Sequence, residues 1–161
     1  SGKTTLGQGL FDHLTDLGTA CCWLDGEEVR KRLDRTYGHS TPERILVTRR
    51  LGEMAGELAA EGNIVVVSAI SHVYGARLAV RQQLVDFFEV YLKCPPQVCA
   101  ARDYKGNYDR AHRGELGNFI GVTEPYQETP DPELVIDTSR VTAPHALSMT
   151  IDALARHAIS T

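Results

Sequence analysis

The sequence predicts an α/β domain in which a parallel sheet is flanked by helices. Three observations carry this. Four short apolar runs, near residues 20–24, 64–68, 87–92 and 134–137, alternate with stretches of helical periodicity. The run Ile64-Val65-Val66-Val67 is too β-branched and too continuous for a strand with one wet face, and reads as a parallel strand buried on both. The 161 residues, 42% hydrophobic and 24% charged, suit a single domain with one core and no need of a disulfide or metal staple.

The elements follow in order. Leu6, Leu10, Leu14 and Leu17 recur at helical spacing from residue 3, and Gly18 supplies a stop. Residues 19–24 read as a strand that Asp25-Gly26 breaks, and 27–33 return to a helical pattern. Ser40-Thr41-Pro42-Glu43 has the S-x-x-E form of a capping box with Pro in the first turn. It opens a helix with an apolar stripe at Val47, Leu51, Met54, Ala55 and Leu58, ended by Gly62-Asn63. Beyond the 64–67 strand, residues 74–85 read as helix, 87–92 as strand, 95–102 as a short helix, 134–136 as strand and 143–159 as a closing helix. Residues 103–131 lack periodicity and are rich in Gly, Pro, Tyr and charge. So long a loop in a compact domain is usually functional, and 103–122 is the candidate lid.

Charge and composition narrow the partners. Seventeen Lys+Arg against 21 Asp+Glu leave a net charge of −4, which argues against a nucleic-acid-binding surface but leaves room for a small cationic pocket. No apolar run approaches the ~20 residues that cross a bilayer, and none resembles a secretory signal. A membrane partner is therefore not expected, and the expected location is the cytoplasm. Cys21, Cys22, Cys94 and Cys99 show no zinc-ligand spacing and read as small buried hydrophobes of a reducing compartment.

The chemistry begins at residue 1. Gly2-Lys3-Thr4 opens a helix and matches the last three positions of G-x-x-x-x-G-K-[ST]. Glycine lets the backbone come close to an anion, and the first N–H groups of the helix point at it. Lys3 would reach the β- and γ-phosphates of a nucleoside triphosphate, and the Thr4 hydroxyl would hold Mg²⁺. Leu24-Asp25-Gly26-Glu27-Glu28-Val29-Arg30 then sets carboxylates just beyond the end of a strand, where open α/β sheets bind ligands. Asp25 suits a hydroxyl proton or a metal water. Glu28 reads as a solvated first-turn acid, and Arg30 could clamp an anionic acceptor.

Together these residues resemble the adenylylsulfate kinase family of P-loop kinases, and the resemblance runs along the chain in order. SGKTT is followed by LDGEEVR for the family's LDGDNVR, ERILVTRRLGEMA for DRxENIRRVGEVA, and VVVSAIS for VLVSFIS. FEVYLKCPPQVCAARDYKGNY, HRGELGNFIGVTEPYQ and PELVIDT then follow in register.

The resemblance implies a three-layer P-loop fold and MgATP-dependent phosphorylation of the 3′-hydroxyl of adenylyl sulfate, a small nucleotide. It implies that Ser1, Gly2, Lys3, Thr4 and Thr5 hold the ATP phosphates, with Thr4 and Asp25 at the metal. Asp25 and Glu27 fall on the family's two aspartates, Arg30 and Arg44 on arginines that grip the phosphosulfate, and Ile70 and Ser71 on the acceptor loop, where a positioning role suits Ser71. Lys105 and Phe119 fall in the lid, with Phe119 expected to stack on the acceptor's adenine, and Arg102 is placed beside the adenine of ATP. Dimers, and fusions to the sulfurylase that makes the substrate, occur in the family and set the expected partners.

The departures cluster around the acceptor. Val47 replaces the family's Asn, His39 its aromatic, His72 its proline, Ile120 its threonine, and Asp109-Arg110 its lysine pair. Val47 also fits the core stripe of its helix. Two alternatives follow, a kinase of the same family acting on another nucleotide or small anionic acceptor, and a catalytically inactive nucleotide-binding module. The family's sheet also has a central strand immediately before the P-loop, which the four runs do not include. Residues 1–161 are therefore expected to form a single P-loop kinase domain that is incomplete at its N-terminus.

Overall fold

The computed structural model describes residues 1–33, 36–102, 111, 113, 119–121 and 123–160. Helix α1 (Lys3–Asp16) leads into β1 (Cys21–Asp25) and α2 (Gly26–Arg32), followed by α3 (Thr41–Ala60), β2 (Ile64–Ser68) and α4 (Tyr74–Arg81). Then come β3 (Val90–Lys93), α5 (Pro96–Ala101), β4 (Leu134–Asp137) and the closing helix α6 (Ala143–Ser160).

The stops lie where the glycines predict. Gly18 and Gly62 have φ of 74° and 89°, and the residue after each donates five residues back, Thr19 N–H to Leu14 O at 3.0 Å and Asn63 N–H to Leu58 O at 3.3 Å. The start of α3 differs from a capping box. Ser40 Oγ donates to Glu43 Oε2 at 2.6 Å, and Glu43 Oε1 reaches past Ser40 to accept from Gly38 N–H at 2.9 Å. The glutamate therefore fixes the loop before the helix as well as its first turn.

Two elements are shorter than predicted. The α4 helix ends at Arg81, because the residues beyond it close as turns (Gln83 N–H to Val80 O, 3.0 Å) and bring Leu84 against Gly56 of α3. Strand β3 begins at Val90 rather than residue 87, since Glu89 N–H donates to the Glu133 carboxylate at 2.6 Å. Upstream, Phe87 lies under Arg81 and Phe88 meets His157 edge-on.

All four predicted strands form, as two parallel pairs. Strand β1 runs beside β2 with Asp25 opposite Ser68, and β3 beside β4 with Lys93 opposite Asp137. A fifth, central strand is not among the described residues. The expectation that the 64–67 strand is buried on both faces does not hold, as Ile64 and Val67 remain 47% and 41% exposed. Helices α1 and α3 cover it in part, and β1 is its one neighbour in the sheet among the described residues. The cysteines, too, are half-buried rather than buried.

Val29, Val47 and Leu51 form a core cluster between α2 and α3, joined by Leu24, Leu33, Tyr37, Met54 and Ala69. Val47 is only 5% exposed, so it is a packing residue. This cluster anchors the C-terminal ends of β1 and β2 and sets Asp25, Ser68 and the 69–73 segment along one edge, beside the start of α1. No described helix is long and apolar enough to cross a membrane.

Candidate active site

The N-terminus of α1 is built to face an anion. Gly2 sits before the helix at φ 91°, no acidic residue occupies the first turn, and the first N–H groups have no intrahelical acceptor. Lys3 Nζ donates to Ser1 Oγ at 3.0 Å, while Gly2, Thr4 and Thr5 are exposed. A polar relay fixes this turn on the sheet, with Trp23 Nε1 donating to Ser68 Oγ at 3.1 Å and Ser68 Oγ to Lys3 O at 3.2 Å. One turn further, Gly7 touches both. A Cβ there would lie 2.0 Å from Ser68 Oγ and 2.8 Å from Trp23 Nε1.

Asp25 joins the phosphate end to the rest of the site. Its Oδ1 accepts from the N–H groups of Glu27 (2.9 Å) and Glu28 (3.3 Å), capping α2. Its Oδ2 accepts from Thr4 Oγ1 at 3.0 Å. The two predicted metal ligands thus meet. A hydroxyl and one carboxylate are hard oxygen donors, and Mg²⁺ uses one or two carboxylates with substrate phosphates making up the set. The pair fits that pattern, although no group of three or more His, Cys, Asp or Glu forms a metal cage among the described residues. Glu28 pairs with Lys31 at 2.7 Å in solvent, as a first-turn acid should.

Past α2 lies a cationic cluster. Arg30 Nη1 donates to the carbonyls of Tyr37 (3.2 Å) and Gly38, and Arg44 Nε donates to His39 O at 2.9 Å. The two arginines expected to grip an anion therefore also shape the 37–39 loop. Burial lowers the pKa of both guanidiniums, and Arg30 lowers that of Arg44 further. His39 and His72 are held below the ordinary imidazole range, first by burial and then by Arg44. Four cationic or protonatable groups thus share one region, and Glu124 offsets only part of this at Arg44 and His72.

The acceptor loop follows β2. Ile70 is 42% exposed, and Ser71 has φ 39°, which a side chain rarely adopts. Thr48 Oγ1 lies within hydrogen-bond distance of both Arg44 O (3.0 Å) and Ser71 Oγ (3.2 Å). Arg102 Nη1 donates to Thr138 O at the end of β4, 3.0 Å away. Phe119 sits in a tight turn, its N–H on Thr123 Oγ1 at 2.8 Å and its carbonyl accepting from Thr123 and Glu124. Lys105, Asp109 and most of the predicted 103–122 lid lie outside the described residues.

Sequence reasoning passed over Gly7, Thr48, Ser68 and Arg77. The signal for Gly7 was a glycine inside a helical pattern, which asks for a packing reason. For Arg77 it was a cation beside Ala76 and Val80 on the buried face of α4.

A glycine-led helix N-terminus with lysine and threonine, set against an aspartate at a strand's C-terminal end, defines a phosphate-binding α/β domain of the P-loop type. The comparisons narrow the class. A family model described as adenylylsulphate kinase matches residues 1–137, and the chain belongs to that family. It is 38% identical over 157 residues to the adenylyl-sulfate kinase of Synechococcus sp. (strain JA-3-3Ab), covering 98% of this chain and 89% of that protein. To the adenylyl-sulfate kinase of Oceanobacillus iheyensis it is 41% identical over 140 residues, 86% of this chain and 70% of that one. Among solved structures, the APS kinase CysC of Mycobacterium tuberculosis in complex with AMPPNP and APS superposes with a TM-score of 0.91 at 33% identity, covering 95% of this chain and 90% of that one.

Proposed function

We propose that this protein transfers the γ-phosphoryl group of ATP to the 3′-hydroxyl of adenylyl sulfate, giving 3′-phosphoadenylyl sulfate and ADP. Membership of the adenylylsulphate kinase family supports the reaction. The observation that carries its mechanism is the Thr4–Asp25 contact, which puts the phosphate-binding helix and the acceptor side within one hydrogen bond of each other.

In this reading Ser1 to Thr5 hold the ATP phosphates, with Lys3 and the α1 amides offsetting charge on the γ-phosphoryl oxygens. Magnesium, held by Thr4 and Asp25, would supply further positive charge to the transferring group. Asp25 and Glu27 orient the acceptor hydroxyl in line, and its proton passes to the Asp25 carboxylate as the new O–P bond forms and the bond to the ADP oxygen breaks. Arg30 and Arg44 bind the phosphosulfate, and the His39 ring offers a flat surface for stacking on the acceptor's base. Ser71 positions the acceptor, Phe119 stacks on its adenine, Arg102 borders the adenine of ATP, and Lys105 belongs to a 103–122 lid that excludes water. We place the enzyme in the cytoplasm, as a homodimer or fused to a sulfurylase.

Because Val47 is core, its departure from the family's Asn does not by itself signal another acceptor. Coupled detection of ADP with each acceptor tests the reading. Turnover with adenylyl sulfate supports it, turnover only with another nucleotide or small anion replaces it, and none with any acceptor marks a binding module.

A further inference from the structure

The Arg77 guanidinium is 8% exposed as a residue and lies beneath the Tyr126 ring, 4.9 Å from its centroid. It ties three segments that are distant in sequence. Nη1 donates to Ser71 O at 2.5 Å, Nη2 to Gln127 O at 2.5 Å and to Thr129 Oγ1 at 2.9 Å, and Nε to Glu89 Oε1 at 3.0 Å. Gln127 repeats the tie. Its N–H donates to His72 O at 2.9 Å, and its Oε1 accepts from Tyr74 N–H at 2.8 Å. The Tyr126 ring stacks on Tyr91, and Tyr91 donates to Glu128 at 2.9 Å, so the 126–129 strap is also fastened to β3.

The 71–74 turn is therefore held largely by groups outside itself. The Ser71 carbonyl belongs to Arg77, its hydroxyl sits by Thr48, and the next carbonyl and the Tyr74 N–H belong to Gln127. A serine at φ 39° persists only where its surroundings over-determine it. The strap that supplies these bonds begins directly after the Phe119–Glu124 turn.

Resting on the function proposed above, we infer that Arg77 is a positioning residue that sets Ser71 and the Phe119-bearing segment as one unit, so that the acceptor loop and the strap move together. The Arg77 side chain acts through the Ser71 carbonyl and the strap, and selects for acceptor binding over ATP binding. Guanidinium geometry is required, since a lysine ammonium cannot span three segments in one plane.

Initial rates on the full chain with varied adenylyl sulfate and ATP test this. Arg77→Ala should raise KM for adenylyl sulfate about tenfold or more while KM for ATP stays within about twofold, with Arg77→Lys intermediate. Parallel rises in both KM values, or an unchanged acceptor KM, would overturn it. If loss of the buried partner of Glu89 unfolds Arg77→Ala, then Gln127→Ala, which keeps the strap's backbone bonds, should raise acceptor KM alone by about threefold. Should the unaltered chain not turn over adenylyl sulfate, the functional reading falls separately. Amide exchange then decides the coupling. Acceleration in 71–74 together with 126–129 in either variant, with α1 still protected, supports it, and acceleration in one segment alone sinks it.

Discussion

Thr4 and Asp25, far apart in sequence, meet at 3.0 Å, and the same carboxylate caps α2 through its other oxygen. One side chain therefore does two separable things. Asparagine is as good an N-cap as aspartate, so Asp25→Asn keeps the helix and removes the charge. The expected outcome is a near-native melting temperature, kcat lower by about 10²–10⁴, and a higher Mg²⁺ concentration for half-maximal rate. A variant that melts far below the parent, or keeps its rate, contradicts this division.

Arg44 stands in the cationic cluster, donating to His39 O and lowering the pKa of both His39 and His72. Arg44→Ala should lose about 1.5–3 kcal/mol of acceptor interaction, read as a tenfold or larger rise in KM for adenylyl sulfate against a small change for ATP. Equal losses for both substrates would show that Arg44 supports the fold of the cluster and not the acceptor.

Acceptor binding should depend on pH. His39 and His72 have depressed pKa values in the free protein because of burial and Arg44, and an anion bound between Arg30 and Arg44 would raise them. Binding then takes up protons, so affinity for adenylyl sulfate should increase as pH falls through the histidine range. In the free protein the sign is opposite. A depressed folded pKa gives stability that is complete above the unfolded value and is lost as pH falls through the folded one, so melting temperature should drop below about pH 6.5. His39→Gln with His72→Gln should flatten both slopes, and an unchanged affinity slope in the double variant would exclude the histidines.

Gly7 tests the seating of α1. Any Cβ there must displace Ser68 or Trp23, so Gly7→Ala should destabilise by about 1–3 kcal/mol despite alanine's better helix propensity. Denaturant melts report it, and a stabilised variant would show that the helix can simply slide.

Val47 separates packing from recognition. Restoring the family's amide as Val47→Asn would bury a polar group beside Val29 and Leu51. It should cost about 1–3 kcal/mol with no gain in acceptor affinity, measured by melting and by KM. Tighter acceptor binding would put residue 47 back in the site.

What the sequence made legible was local. The Leu6-Leu10-Leu14 stripe of α1, the Gly18 and Gly62 stops and the Gly-Lys-Thr start depend on neighbours within a turn and lie where predicted, whereas Leu17 falls just past the helix and is 67% exposed. The DGE segment was readable because strand ends in α/β sheets gather ligands. Arg77 and Gln127 were not, because their partners lie about fifty residues away and a lone cation on a short helix looks the same in solvent. The ends of α4 and β3 were lost for a related reason. Leu84 on Gly56 and Glu89 on Glu133 are tertiary contacts that no window of sequence contains.

The pairing of the strands bears on how the molecule assembles. Cys21 lies beside Ile64, and Val90 beside Leu134, so each parallel pair closes a loop of more than forty residues before its first hydrogen bond forms. Such closures are entropically slow, whereas a helix needs only contacts within its own turns. Helices α1 and α3 can therefore appear early, while Asp25 is delivered to Thr4 only once β1 has found β2. Recovery of phosphoryl transfer should trail recovery of helical signal during refolding, with catalysis as the last property the chain acquires.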